Sequence, residues 1–139
     1  MKQHEQEKPQ PDRVGGYVEL FEAWLNQPAK PFTILARFSV KEGTQAKLEA
    51  AFARARAATH CEPGVIAYDL NRDTADSARY VAYERWKSLA DLEFHLRTPY
   101  ITKLMEEIDE VLAAAPEFNV LVPSGDEEER GRSFYKKTS

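Results

Sequence analysis

The sequence has little cysteine, no excess of basic charge and no long apolar run, and each shortage excludes a class of protein. A single cysteine, Cys61, cannot form an intrachain disulfide and suits a reducing compartment, so we expect a cytoplasmic protein. The formal net charge of -4 leaves no surplus of Lys and Arg to neutralise phosphates, so nucleic acid is not an expected partner. No stretch approaches the roughly 20 apolar residues that span a bilayer, so no membrane partner is expected.

The composition that is present suits one packed domain with extensions at both ends. The 139 residues are 42% hydrophobic and 30% charged, which is enough apolar material for a single core. We divide the chain into an N-terminal extension (1–31), a domain (32–123) and a charged, flexible tail (124–139). Residues 1–13 are polar and are expected to be disordered. A short amphipathic helix is predicted after them, and it must dock on something to be stable. Its apolar residues recur at helical spacing: Tyr17, Leu20, Phe21, Trp24 and Leu25.

The domain segment predicts a fold of the α+β class. Residues 32–40 alternate between apolar and mixed side chains, as a strand does when one face is buried. The remaining pattern predicts the order β-α-β-β-α-β, with strands at 65–71, 79–86 and 117–122 and helices beginning after Thr44, Ser88 and Thr98. This order is the ferredoxin-like plan, in which both helices cover one face of an antiparallel sheet.

The second face of that sheet is predicted to be half apolar. It would carry Leu35, Arg37, Val81, Tyr83 and Arg85. An apolar surface of this extent favours a cover, and a second copy of the same sheet is the simplest one. We therefore expect a homodimer formed through the open sheet face.

Four separated motifs resemble the antibiotic biosynthesis monooxygenase family, whose members are small dimeric α+β barrel proteins. They are the turn VKEG (40–43), the strand entry EPGVIAYDL (62–70), YERW (83–86) and HLRTPY (95–100). The resemblance covers about residues 32–122. Members of the family include cofactor-independent oxygenases of quinols and polycyclic phenols, and haem-degrading enzymes. The resemblance implies a pocket between sheet and helices, a small aromatic molecule as substrate and no cofactor.

The resemblance also implies which residues form the pocket. It places Glu84 and Trp86 on the helix side of the third strand, where the alternation of the strand allows them. We expect Glu84 to meet His95 there and orient it for catalysis, with His95 as the catalytic base because its ordinary pKa of ~6.5 is close to working pH. The residues expected to bind the substrate are Trp86, Phe38, Tyr68, Ala36, Ala82 and Tyr100.

Two departures from the family pattern limit the transfer of mechanism. Haem degraders use an Asn on the first strand and a His in the last helix, and this chain has Ala36 and Met105 at those positions. The polyphenol oxygenases use an Asn on the third strand, where this chain has Ala82. We therefore expect no haem and no direct copy of the polyphenol mechanism.

Structural explanations compete with the catalytic ones. Glu84 and His95 also fit a buried pair that ties strand to helix, Trp86 also fits the core, and Tyr100 also fits a surface or dimer edge. The run 60–62, His-Cys-Glu, contains metal-binding residue types, but adjacent side chains point in different directions, so no metal site is predicted. The alternative function is a non-catalytic dimeric barrel whose pocket is filled by side chains.

Overall fold

The computed structural model describes residues 12–125, and the predictions made for residues 1–11 and 126–139 lie outside this part. Within it, four helices and four strands follow one another along the chain. They are α1 (Arg13–Trp24), β1 (Phe32–Ser39), α2 (Gln45–Thr59), β2 (Val65–Arg72), β3 (Arg79–Trp86), α3 (Leu89–Leu96), α4 (Pro99–Val111) and β4 (Glu117–Leu121). The order from β1 onward confirms the predicted α+β fold of ferredoxin-like plan, with the second helical segment divided into α3 and α4.

The sheet has the strand order β2-β3-β1-β4, and every neighbouring pair is antiparallel. The pairing of β1 with β3 is regular, with Ile34 opposite Glu84 and Ala36 opposite Ala82. Residues directly opposite each other point to the same face. Glu84 and Trp86 therefore share the face of β1's buried side chains, as the resemblance to the family implied and the alternation of the strand allowed. A register shift between Val65 and Ala67 marks a bulge in β2.

The helices of the domain, α2 to α4, begin where the sequence predicted, although not every predicted cap forms. Ser88 caps α3: its hydroxyl accepts from the Asp91 amide at 3.2 Å and donates to the Asp91 carboxylate at 2.7 Å. Thr44 precedes α2, but its hydroxyl instead donates to the Lys41 carbonyl at 2.6 Å. Thr98 precedes α4 and donates to the His95 carbonyl at 2.7 Å, with Pro99 at the first helical position.

The core lies between the sheet and its helices. Phe32 and Trp86 are fully buried, and the predicted stripe of α2 is buried against the sheet and α4. That stripe consists of Leu48, Ala51, Phe52 and Ala55. The helix side of the sheet is thus apolar apart from Glu84, as the alternation along β1 required for that strand.

Helix α1 docks on the domain and is longer than predicted. It begins at Arg13 instead of Tyr17, because the Asp12 carboxylate accepts from the Gly15 amide at 3.0 Å and caps it. Its buried Phe21 ring lies 5.8 Å from the ring of Phe118 on β4. Docking on its own domain supplies the stability that a 12-residue helix lacks in isolation.

The opposite face of the sheet carries the residues predicted for it. Leu35 lies opposite Tyr83 and Arg37 opposite Val81, and the Tyr83 side chain is 39% exposed. The long apolar helices that cross membranes have no counterpart between residues 12 and 125.

Candidate functional site

A cavity of about 90 Å³ lies between the helix side of the sheet and the helices. Its volume is several times the roughly 10–15 Å³ that one water molecule requires. Its wall is almost wholly apolar, and its polar exceptions include the buried His95 and the partly accessible Glu84. Five of the predicted site residues line it: His95, Glu84, Phe38, Tyr68 and Ala36. Trp86, Ala82 and Tyr100 lie outside the lining. Trp86 donates a hydrogen bond to Glu84, and Tyr100 donates one to Glu62.

His95 has a different carboxylate partner from the predicted one. It lies on α3, is 1% exposed, and its Nδ1 is 2.9 Å from Oε2 of Glu62. The Tyr100 hydroxyl donates to the same carboxylate oxygen. The carboxylate that bonds His95 is therefore Glu62 and not Glu84 as predicted, because Glu62 reaches the imidazole from a loop beside α3.

Glu62 is the residue that sequence reasoning missed. It follows α2, one residue before Pro63-Gly64, and its side chain is 5% exposed. A β-carbon on Gly64 would lie 2.3 Å from the Asp91 carboxyl carbon, so glycine lets this loop approach α3 closely enough for the contact. The one available signal was a carboxylate immediately before a Pro-Gly turn at a strand entry.

The neighbours of Glu62 in sequence point elsewhere. The His60 ring nitrogen Nε2 is 3.3 Å from the Tyr68 carbonyl, and Cys61 is exposed. Oε1 of Glu62 is buried and has no hydrogen-bond partner among residues 12–125. The carboxylate thus accepts through one oxygen only, from two donors.

Glu84 is partly accessible and faces the cavity from β3. Its Oε1 accepts from Nε1 of Trp86 at 3.1 Å. Burial raises the pKa of Glu84 to about 7, and the nearby charge of Glu62 adds to the rise, while the Trp86 hydrogen bond opposes it. The side chain can therefore hold or release a proton near neutral pH.

Aromatic rings enclose the imidazole of His95. The Trp86 ring centroid is 4.4 Å from it and the Tyr68 centroid 5.0 Å. Burial lowers the pKa of His95 below 6.5, and the Glu62 hydrogen bond opposes the shift. We assign the neutral tautomer with the proton on Nδ1, because a carboxylate oxygen must accept there. The lone pair then lies on Nε2.

Tyr100 is a hydrogen-bond partner of Glu62 and not part of the cavity wall. Burial, followed by the Glu62 carboxylate, raises the pKa of Tyr100 to about 12. The phenol therefore stays protonated at neutral pH and remains a donor to Glu62.

Ala36 and Met105 both line the cavity. These are the positions at which the haem degraders use Asn and His, and neither a methyl group nor this thioether reproduces that pair. Within residues 12–125, no three His, Cys, Asp or Glu side chains form a group that could hold a metal ion.

Comparison with known proteins relates both sequence and fold to one family. The family model described as "Antibiotic biosynthesis monooxygenase" matches residues 31–107. The Mycobacterium tuberculosis protein named "Putative monooxygenase Rv0793" is 28% identical over 93 residues, which cover 67% of this chain and 91% of that protein. The Synechocystis protein sll1783 is 30% identical over 59 residues, which cover 42% of this chain. The chain matches only 40% of the length of that relative.

Solved structures show the same fold. The structure of Rv0793 superposes with a TM-score of 0.65 at 24% identity, covering 70% of this chain and 99% of that one. A structure from Caulobacter crescentus superposes with a TM-score of 0.66 at 23% identity, covering 71% of this chain and 94% of that one. Because the family model matches more than half of its residues, this chain belongs to the antibiotic biosynthesis monooxygenase family.

Proposed function

We propose that this protein is a cofactor-independent monooxygenase that acts on a small, electron-rich phenol or quinol bound in the cavity. One observation carries the proposal: an apolar cavity whose buried wall presents His95, held by Glu62, together with Glu84, whose pKa is about 7. Such a cavity provides apolar surface for an aromatic ring and two groups that can move protons. Membership of the family supports the same reaction class.

The reaction needs no external reductant when the substrate supplies the electrons. Removal of a proton from the bound phenol gives an electron-rich anion, which passes an electron to dioxygen. One oxygen atom then becomes a carbonyl oxygen on a ring carbon and replaces the single hydrogen of that carbon. The other oxygen atom leaves as water with that ring hydrogen and the phenolic hydrogen, so the phenol is oxidised to a quinone and dioxygen is reduced.

His95 is the base in this scheme. Its lowered pKa keeps the ring neutral near pH 7, and Nε2 is the nitrogen free to accept a proton because Nδ1 is engaged by Glu62. The Glu62 carboxylate then stabilises the imidazolium that forms. This assigns to Glu62 the orienting role that the sequence assigned to Glu84.

Glu84, which lines the same cavity from β3, has a separate role. In its protonated form a buried carboxyl donates a hydrogen bond to a developing oxyanion, which stabilises that charge in a dry site. Trp86 holds the carboxyl through Oε1, and Phe38 and Tyr68 provide aromatic wall for the ring.

Oxygen consumption tests the proposal. The purified protein is incubated with a panel of one- and two-ring phenols and quinols while dioxygen uptake, hydrogen peroxide and the oxygenated product are followed. We expect catalysed uptake without added metal or flavin, with one oxygen atom recovered in the product. His95→Ala should reduce the rate about 100-fold, the lower end of the range for loss of a general base.

A second histidine provides a matched control. His60 is exposed and contacts a backbone carbonyl, so His60→Ala should retain the wild-type rate. Equal rates for wild type and His95→Ala would remove His95 from the mechanism. Absence of uptake across the panel would favour the non-catalytic binding module.

The proposal includes a dimer formed through the open sheet face. That face presents Leu35, Val81 and the partly exposed ring of Tyr83, an apolar surface that a second copy would cover. Light scattering coupled to size exclusion should give about twice the 15.9 kDa chain mass. A monomer at micromolar concentration would contradict this part of the proposal.

A further inference from the structure

Helix α1 lies outside residues 31–107, which match the family, yet it supplies part of the cavity wall through Tyr17 and Phe21. We propose that these two rings determine which ligands the cavity accepts, selecting small fused aromatic molecules by length and rejecting longer ones. The inference deepens the proposed function and rests on it in one respect, that the cavity is the substrate site.

The two rings form a packed aromatic wall with β4. The centroids of Tyr17 and Phe118 are 5.6 Å apart with the planes at 70°, and those of Phe21 and Phe118 are 5.8 Å apart at 79°. Edge-to-face contacts of this kind fix ring positions as well as burying area. Phe21 is 3% exposed, so it has little freedom to swing aside when a ligand enters.

The charged group in this wall, the guanidinium of Arg13, is already paired with a carboxylate. Arg13 also lines the cavity, but its guanidinium forms a two-point contact with Asp109, at 2.7 and 3.1 Å. The second nitrogen is in addition 3.4 Å from the Tyr17 hydroxyl. The Asp109 contact raises the pKa of Arg13 and commits its charge. The ligand end that meets α1 is therefore an uncharged ring rather than a carboxylate or phosphate.

The position of α1 is fixed at its N-terminal end by contacts to both neighbouring helices. Arg13 pairs with Asp109 on α4, and Asp12 lies 3.3 Å from Arg97, which follows α3. Leu25, just beyond its C-terminal end, is 7% exposed. Because burial of Phe21 and Leu25 anchors the helix, its rings set a limit on ligand length, which a ring deletion would extend by about one ring.

Binding measurements with two fluorescent probes test this inference without requiring turnover. The probes are 2-naphthol, with two fused rings, and 2-hydroxyanthracene, with three. Each is titrated under anaerobic conditions into wild type, Tyr17→Ala, Phe21→Ala and Leu20→Ala. Leu20 lies on α1 and is 38% exposed, so Leu20→Ala controls for a truncation on the same helix away from the cavity.

We expect wild type and Leu20→Ala to prefer 2-naphthol. Phe21→Ala and Tyr17→Ala should each shift the ratio of the two affinities toward 2-hydroxyanthracene by about tenfold or more, since apolar pockets discriminate one added group by this order. Phe21→Leu, which retains apolar bulk, serves if circular dichroism shows that Phe21→Ala does not fold, and should give a smaller shift in the same direction.

Each outcome separates this inference from the proposed function. Unchanged preference in the Tyr17 and Phe21 variants, with both probes still bound, would overturn the selecting role of α1 alone. Binding that behaves as expected without oxygen uptake would support α1 and overturn the monooxygenase. Failure of wild type to bind either probe would overturn the inference, while oxygen uptake with the one- and two-ring panel would still decide the monooxygenase.

Discussion

His95 and Arg13 both line the cavity, and each contacts a carboxylate at a similar distance but in different surroundings. Glu62 and His95 are 2.9 Å apart with side chains 5% and 2% exposed, whereas Arg13 and Asp109 are 2.7 Å apart at 42% and 49% exposure. Exposed pairs contribute about 0–1 kcal/mol because water and salt screen them. Removing one member of a buried pair leaves its partner without compensation. The shorter contact, Arg13–Asp109, is therefore expected to contribute less to the free energy of unfolding. Burial, and not distance, decides which of the two contacts matters more for stability.

The largest effect is expected at the buried member of this comparison. Glu62→Ala leaves the His95 Nδ1–H and the Tyr100 hydroxyl without their acceptor, and a buried donor without a partner costs about 1–3 kcal/mol. We expect a loss of about 3 kcal/mol in the free energy of unfolding, measured by urea titration.

Glu110→Ala is the matched control for that substitution. Glu110 pairs with Lys47 at the surface, where the side chains are 62% and 53% exposed, so its loss should cost less than about 1 kcal/mol. Equal losses for Glu62→Ala and Glu110→Ala would contradict the ranking by burial.

A second large effect depends on pH and on Glu84. Its pKa rises from 4.5 to about 7 on folding, so the folded chain binds the proton more tightly than the unfolded chain. The resulting stability is present below pH 4.5 and is lost as pH rises through about 7. From pH 5 to pH 8, the free energy of unfolding of wild type should therefore fall relative to that of Glu84→Gln by about 2–3 kcal/mol. Urea titrations of both proteins at the two pH values measure this change.

His95 acts in the opposite direction, because its lowered pKa gives stability that is present above pH 6.5 and lost as pH falls. Both proteins retain His95, so its effect cancels when wild type is compared with Glu84→Gln. A difference between the two proteins that does not change with pH would show that Glu84 titrates as an ordinary carboxyl.

A smaller effect is expected at Tyr100, whose half-buried position is intermediate between the buried Glu62–His95 contact and the exposed Arg13–Asp109 pair. Tyr100→Phe removes one of the two donors to Glu62 but leaves His95 in place, so we expect a loss of about 1 kcal/mol. Thermal denaturation of Tyr100→Phe in parallel with wild type measures the loss. Unchanged stability would contradict a hydrogen bond from Tyr100 to Glu62.

The smallest effect is expected at the exposed pair. Asp109→Asn should reduce the free energy of unfolding by less than about 1 kcal/mol at low salt. The difference from wild type should disappear near 1 M salt, where the screening length is only about 3 Å. A salt-independent loss of several kcal/mol would mean that the Arg13 contact is effectively buried.

Periodic parts of the chain were predictable because their physics is local. Alternation along β1 and β3 fixed which side chains share a face, and the resemblance to the family identified the face with Glu84 and Trp86 as the helix side. The Ser88 cap was predictable for the same reason, since capping needs only residues three apart.

Glu62 and α1 were not predictable in this way. The direction of a side chain in the loop after α2 follows no period, and it is set by how closely Gly64 lets that loop approach α3. The wall formed by Tyr17 and Phe21 depends on where α1 docks, and helical spacing shows that a face is buried without showing against what.

The middle rung of the sheet has a consequence for how such a protein changes over generations. Ala36 and Ala82 lie side by side there, and only a methyl group stands at position 36, while Ile34 and Phe38 flank it on the same face. A change as small as alanine to valine at position 36 would begin to plug the hollow while leaving every backbone bond of the strand intact. A protein with an open cavity and one with a filled core can therefore differ by very few substitutions, separated by a few carbon atoms on one strand.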